Sequence, residues 1–146
     1  MNRNRPSEHM SRAAFSLVEL MVVVVIIGLL SSLVAVQTRS YLIASKQNAA
    51  KAEIRTMVDA METFFLNQSR YPTNEEGVAI LTKGTASYPD GFLKKVPTDP
   101  WGRPYEYNSP GAYSPFEIIC LGADGREGGE GADADISSEA LNAKKK

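Results

Sequence analysis

The chain is predicted to fold as α+β, with a long N-terminal helix packed on a small antiparallel sheet. Three observations predict this. Residues 15–36 are apolar apart from one charge, Glu19. Residues 40–68 contain no glycine or proline, and their apolar side chains recur at intervals of three and four. Two later segments, 105–107 and 113–120, are rich in aromatic and β-branched residues, with the turn residues Asn108-Ser109-Pro110-Gly111 between them.

The first fourteen residues carry Arg3, Arg5 and Arg12 against Glu8. They precede an apolar run long enough to span a bilayer, since about 20 apolar residues suffice. The arginines would stay on the cytoplasmic side and leave the C-terminal part outside. Three uses of such a segment compete. A secretory signal peptide would be cut near Ala35, but residues 1–14 are long and polar for its basic part, and an acid opens its core. A plain signal anchor would keep Met1. The third is a short leader, residues 1–14, cut between Ala14 and Phe15. A lone carboxylate in lipid costs several kcal/mol, so Glu19 needs a partner. The third use supplies one: an α-ammonium on Phe15, one helical turn away.

Beyond the apolar run no helix breaker appears. Ile54, Met57, Val58, Met61, Phe64 and Phe65 define one face, and Lys51, Glu53, Arg55, Asp59 and Glu62 the other. The expectation is therefore one helix, apolar all round over 15–36 and amphipathic over 37–69, roughly 80 Å long at 1.5 Å per residue. Tyr71-Pro72 ends it. Residues 70–146 then form a small head. Thr73 and Glu76 stand at capping-box spacing and predict a short helix over 74–81. Residues 84–97 read as loop.

Composition narrows the chemistry. Without residues 1–14 the balance is 13 basic to 16 acidic side chains, which gives no nucleic-acid surface. The basic tail Lys144-Lys145-Lys146 reads as solvated. The single cysteine, Cys120, excludes an internal disulfide and reads as a buried thiol. The single histidine, His9, lies in the leader, so neither a Cys–His nor a Ser–His–Asp site is available within the chain. Asp99, within Asp99-Pro100-Trp101-Gly102-Arg103-Pro104-Tyr105, is expected to set a turn, with Trp101 plugging the gap between sheet and helix.

Residues 121–136 place five acids among five glycines. Ca²⁺ takes six to eight oxygen ligands, and glycines let carbonyls and carboxylates converge, so a calcium loop is the sharper reading of this segment. The alternative is a flexible acidic loop. Gly128-Gly129-Glu130-Gly131-Ala132-Asp133 fits a calcium nonapeptide, but that fold needs stacked copies.

Ala13-Ala14-Phe15-Ser16-Leu17-Val18-Glu19 resembles the type IV pilin-like leader motif. Arg70-Tyr71-Pro72-Thr73, the segment from Pro97 to Tyr105, and Gly122-Ala123-Asp124-Gly125 follow in the order of the type II secretion major pseudopilin family. The resemblance implies a pilin-like fold and a non-enzymatic subunit of a periplasmic pseudopilus that helps export folded proteins. It implies cleavage by a prepilin peptidase between Ala14 and Phe15 and N-methylation of Phe15. The family has glycine where this chain has Ala14, a mild replacement that processing is expected to tolerate. It also implies a single-pass inner-membrane location before assembly, with the head in the periplasm. The expected partners are other copies of the chain, minor pseudopilins, an inner-membrane assembly platform and its ATPase. Phe15 and Glu19 would pair between subunits, and Glu62 would bridge to Lys94 or Lys95 of a neighbour. A calcium loop over about 119–137 would use Asp124, Asp133 and Asp135, with carbonyls of Ile119 and Leu121. Many members carry proline at the position of Val36; here Gly28 and Ser31-Ser32 remain as weak points. A surface type IV pilin is the nearest rival, though such pilins usually close a larger head with a disulfide. From another class, the rival is a signal-anchored periplasmic binding domain.

Overall fold

The computed structural model describes residues 15–143, and the leader with Ala14 and His9, like Lys144-Lys145-Lys146, lies outside the described residues. The chain divides into two compact units, Met1–Arg39 and Ser40–Lys146. Helix α1 is continuous over Leu17–Gln68. In the first unit the large apolar side chains from Phe15 to Leu30 are 48–76% exposed. Ser31 and Ser32 turn their hydroxyls back to the Ile27 and Leu29 carbonyls, at 2.7 and 2.8 Å. Among the described residues no helix is long and apolar enough to cross a membrane. The span expected over 15–36 includes residues 33–36, whose side chains lie outside that description.

In the second unit α1 becomes one-sided. Ala50, Ile54, Met57, Met61 and Phe64 are buried at alternating intervals of four and three, with Ala60 beside them. Phe65, expected on this face, is 38% exposed and instead stacks on Tyr71 with ring centroids 4.7 Å apart. The helix stops before the proline acts. Ser69 turns left-handed (φ 55°), and its N–H donates back to the Phe65 carbonyl at 2.7 Å.

The capping box forms, but the helix expected over 74–81 does not. The Thr73 amide donates to Glu76 at 2.9 Å, and the Glu76 amide to the Thr73 hydroxyl at 3.3 Å. Gly77 then takes a positive φ of 55° and breaks the run, leaving a turn and a 3₁₀ segment over Val78–Thr82. Arg70 grips Glu76 with both terminal guanidinium nitrogens, at 2.7 and 2.8 Å.

The sheet has three antiparallel strands in the order β1 (Glu106–Asn108), β2 (Glu117–Cys120), β3 (Ile136–Ser137). Ile119 of β2 faces Glu106 on one side and Ser137 on the other. Strand β2 is shorter than the expected 113–120. Pro115 has no N–H for a ladder, and the Tyr113 amide and Ser114 hydroxyl are both given to Glu139, at 2.8 and 2.7 Å. Strand β3 and the helix α2 (Ser138–Ala143) behind it were not foreseen. Ser137 caps α2 by accepting from the Ala140 amide at 3.2 Å, while the buried Ser138 hydroxyl accepts from the Ile118 amide. Ile118, Cys120, Phe116, Tyr105 and Ile136 complete the core opposite α1.

Met61 is fully buried, so Met61→Ala should cost about 2–5 kcal/mol in urea unfolding, and Phe65→Ala markedly less. Equal losses would overturn this assignment of the core face. Arg70 first, then the Thr73 amide, hold the Glu76 carboxyl down at about 2. Its stabilising effect is therefore complete above the ordinary 4.5 and fades as pH falls toward about 2. The stability gap between wild type and Glu76→Gln should narrow over that window. A gap independent of pH would remove the ion pair from the account.

Candidate functional site

Two places carry chemistry beyond packing. The first is the start of α1. Phe15 and Ser16 precede the helix, and Glu19 lies in its first turn. The Ser16 amide donates to Glu19 Oε2 at 3.2 Å, and the Glu19 amide donates to Ser16 Oγ at 3.2 Å. This is a reciprocal capping box, with a carboxylate at the positive end of the helix dipole. Sequence reasoning missed it, although the Ser-x-x-Glu spacing was there to read. The carboxylate thus reaches the amide next to Phe15, and cleavage before Phe15 would set a cation within one residue of it.

The expected Glu62 bridge has a competitor inside the chain. Tyr71 donates its phenol to both Glu62 oxygens at 3.2 Å. Burial first, then the Glu62 charge, raises the Tyr71 pKa. Lys94 and Lys95 are exposed on the segment after the 3₁₀ turn, and among the described residues neither pairs with Glu62 of its own chain.

The second place is the acidic loop. Gly122, Gly125, Gly128, Gly129 and Gly131 all have positive φ, so the chain turns repeatedly. Its two limbs meet where the Ala123 amide donates to the Ala132 carbonyl at 3.0 Å, and a side chain at Gly122 would overlap the Asp133 carbonyl. Asp124 accepts from the Arg126 amide at 3.1 Å, and Asp135 from the Gly128 amide at 2.8 Å. The Leu121 carbonyl accepts from the Gly125 amide at 3.1 Å, while Ile119 sits mid-ladder in β2. Asp133 is half-buried at the end of the short 3₁₀ turn Gly131–Asp133. The donor set is all oxygen, which suits a hard cation. The carboxylates are not gathered: among the described residues no three acidic, histidine or cysteine side chains are grouped closely enough to hold a metal.

Asp99 is a buried turn organiser. Its carboxylate accepts from the Trp101 and Arg103 amides at 2.9 and 2.7 Å, and the Asp99 amide donates to the Arg103 carbonyl. Trp101 is only half-buried, with Lys46 Nζ 5.7 Å over its ring, so it edges the core rather than plugging it. Cys120 is buried, and burial pushes its thiol up to about 11, which makes it an inert packing group. Arg103, read in the sequence only as part of a turn, and Gln47, which sequence reasoning passed over, both reach the loop. Arg103 donates to the Gly122 carbonyl, and Gln47 donates to the Gly131 carbonyl at 2.5 Å.

The chain is similar to known proteins. Residues 9–35 match the prokaryotic N-terminal methylation motif. A relative from Pseudomonas aeruginosa, type II secretion system core protein G, is 42% identical over 134 residues, covering 87% of this chain and 94% of that protein. The Vibrio cholerae protein of the same name is 40% identical, covering 87% and 91%. The crystal structure of the major pseudopilin from the type 2 secretion system of enterohaemorrhagic Escherichia coli superposes with a TM-score of 0.57 at 28% identity. It covers 67% of this chain and 90% of that one. Residues 38–139 match the family of type II secretion system (T2SS) protein G, and the chain belongs to that family.

Proposed function

We propose that the chain is the repeating structural subunit of the type II secretion pseudopilus, a periplasmic filament that helps move folded proteins across the outer membrane. The observation that carries this reading is the exposed apolar stretch from Phe15 to Leu30, whose only charge is Glu19. An all-round apolar helix in water has to be covered. Lipid covers it before assembly, with a single pass through the inner membrane and the second unit in the periplasm. Neighbouring copies cover it in the filament. The family is one of structural pseudopilins, and the subunit works by packing.

Prepilin peptidase would cut between Ala14 and Phe15 and methylate the new amine. The Phe15 ammonium then has Glu19 of its own chain before assembly and of a neighbour afterwards. Minor pseudopilins, the inner-membrane platform and its ATPase are the expected partners in extraction from lipid. Glu62 would exchange its Tyr71 hydrogen bonds for Lys94 or Lys95 of an adjacent subunit.

The acidic loop is the place for calcium. Asp124, Asp133 and Asp135 would hold it together with the Leu121 and Ile119 carbonyls. Bound there, Ca²⁺ would neutralise acids that otherwise repel one another. The loop's own residues do the shaping: positive-φ glycines fold the chain back, and two of the carboxylates are oriented by loop amides.

Intact mass should place the N-terminus at Phe15 with one added methyl; a start at Met1 or near Ala35 would sink the pseudopilin reading. Removing one partner of a desolvated ion pair costs about 3–5 kcal/mol. Glu19→Ala should therefore abolish filaments while the protein stays folded in the membrane, and normal filaments from it would refute the pairing. Excess calcium should raise the melting temperature by several degrees, at about 4–8 °C per kcal/mol for a domain this small. Asp124→Ala and Asp135→Ala should each lose most of that gain. An unchanged gain in both would remove these residues from the site.

A further inference from the structure

We propose that Tyr71 is an autoinhibitory latch on Glu62, its phenol occupying the place that a cation from another copy of this chain has to take. The latch rests on the reading above, in which Glu62 pairs with Lys94 or Lys95 of a neighbour, and it adds a control on that contact built into every subunit.

The turn after α1 sets the geometry. Ser69 turns left-handed, and Tyr71 folds back along the helix that the chain has just left. Its ring stacks on Phe65 with centroids 4.7 Å apart and leans on the buried Phe116 at 5.0 Å. Both sequence neighbours are fixed. Pro72 is fully buried, and its carbonyl accepts from the Tyr107 phenol at 2.8 Å. Arg70 donates to the Tyr71 carbonyl at 3.2 Å while it holds Glu76. A ring held in this way has little choice of where to put its hydroxyl. That hydroxyl lies 3.2 Å from each oxygen of the exposed Glu62 carboxylate.

Equal distances set the phenol oxygen astride the two acceptors, the position from which a cation bridges both. One proton shared between two oxygens at 3.2 Å makes a long, weak bond, so the latch yields to a cation rather than blocking it. Its donor is neutral, which leaves Glu62 its charge for attraction at a distance. Among the described residues no lysine or arginine forms an ion pair with Glu62 of its own chain, and Arg70, next to Tyr71, is committed to Glu76. A chance meeting of two heads has to open the latch for one exposed ion pair, which is worth under about 1 kcal/mol. A subunit entering the filament is held by its apolar helix as well, and opens the latch with that support. The phenol therefore penalises pairing of heads outside a filament more than assembly within one.

The test uses the full chain in cells that carry the whole secretion system, and reads the subunit level at which half of the protein is in filaments. Tyr71→Phe keeps the ring and removes the hydroxyl. It should lower that level about fivefold, the scale of one net hydrogen bond. Glu62→Gln should raise it, and Tyr71→Phe added to Glu62→Gln should change nothing further. A level unmoved or raised by Tyr71→Phe, with Glu62→Gln still impaired, overturns the latch and leaves the Glu62 bridge standing. An equal fall in both backgrounds also overturns the latch, because the phenol would then act without Glu62. Glu62→Gln filaments that form as in wild type overturn the bridge, and the latch with it. A second measurement needs no filament and serves if Tyr71→Phe does not fold: ring-carbon NMR titration of Tyr71 in the detergent-solubilised chain. Burial first, then the Glu62 charge, raises the pKa of this phenol, so Glu62→Gln should lower it. A Tyr71 titration identical in wild type and Glu62→Gln overturns the contact on which the latch depends.

Discussion

A helix that is apolar all round over one stretch and one-sided over the next cannot be satisfied by a single solvent, and the rest of this protein answers that constraint. From Ala50 to Phe64 the chain covers its own helix face with Val78, Leu81 and the inward residues of a three-stranded sheet. From Phe15 to Leu30 it covers nothing. Burying a large apolar side chain is worth about 1.5–3 kcal/mol, so a dozen such residues left open are a strong demand for lipid or for other copies. The domain that folds on α1 meets its own demand within the chain. The apolar segment passes its demand outward, and that transfer is what makes a polymer subunit out of a small α+β domain.

How much of this was legible in the sequence depends on how local each signal is. The core face of α1 is written in a three–four repeat, and Ile54, Met57, Met61 and Phe64 lie where that repeat puts them. Phe65 departs from it because an aromatic partner, Tyr71, is available outside the core. The start of α1 carried its Ser16–Glu19 box openly. Strand β3 did not announce itself, because two residues with one apolar side chain have no periodicity. They are a strand only because β2 offers them an edge. Similarly, Thr73 and Glu76 make their capping contacts, yet the positive φ of Gly77 stops the turn from growing into a helix. The acidic loop was legible as composition, as carboxylates and glycines in the right numbers. Its fastening was illegible, since Gln47 and Arg103 lie outside the loop along the chain, and the segment around Arg103 reads only as a turn.

Acids in the loop and in the Arg70 ion pair are held in opposite ways. In the loop, Asp124 and Asp135 are held by nearby backbone amides. Such bonds fix where a carboxylate stands while leaving it lone pairs to give, because each oxygen accepts more than one donor. Orientation and ligation are therefore compatible. Glu76, by comparison, spends both oxygens on Arg70 and one also on the Thr73 amide. Its pKa falls accordingly, and it serves structure alone. Where a carboxylate's partners come from decides what it can still do.

Glu19 obeys the same rule. Its carboxylate accepts from one amide, on one oxygen, at the exposed start of a helix. A capping box of this kind needs no amine: it satisfies an N–H that the helix cannot, and an anion is favoured there by the dipole. The cap thus orients the acid within a single chain, while its charge is left for a cation to meet. What capping does not use is the charge's full strength. A neutral Gln at this position would keep the hydrogen bond to Ser16 and lose the attraction for an ammonium. Separating the two roles therefore turns on charge rather than on hydrogen bonding. A pure cap tolerates the amide, whereas a contact that sets register between subunits in a desolvated filament does not, because there the opposite charge would be left buried alone.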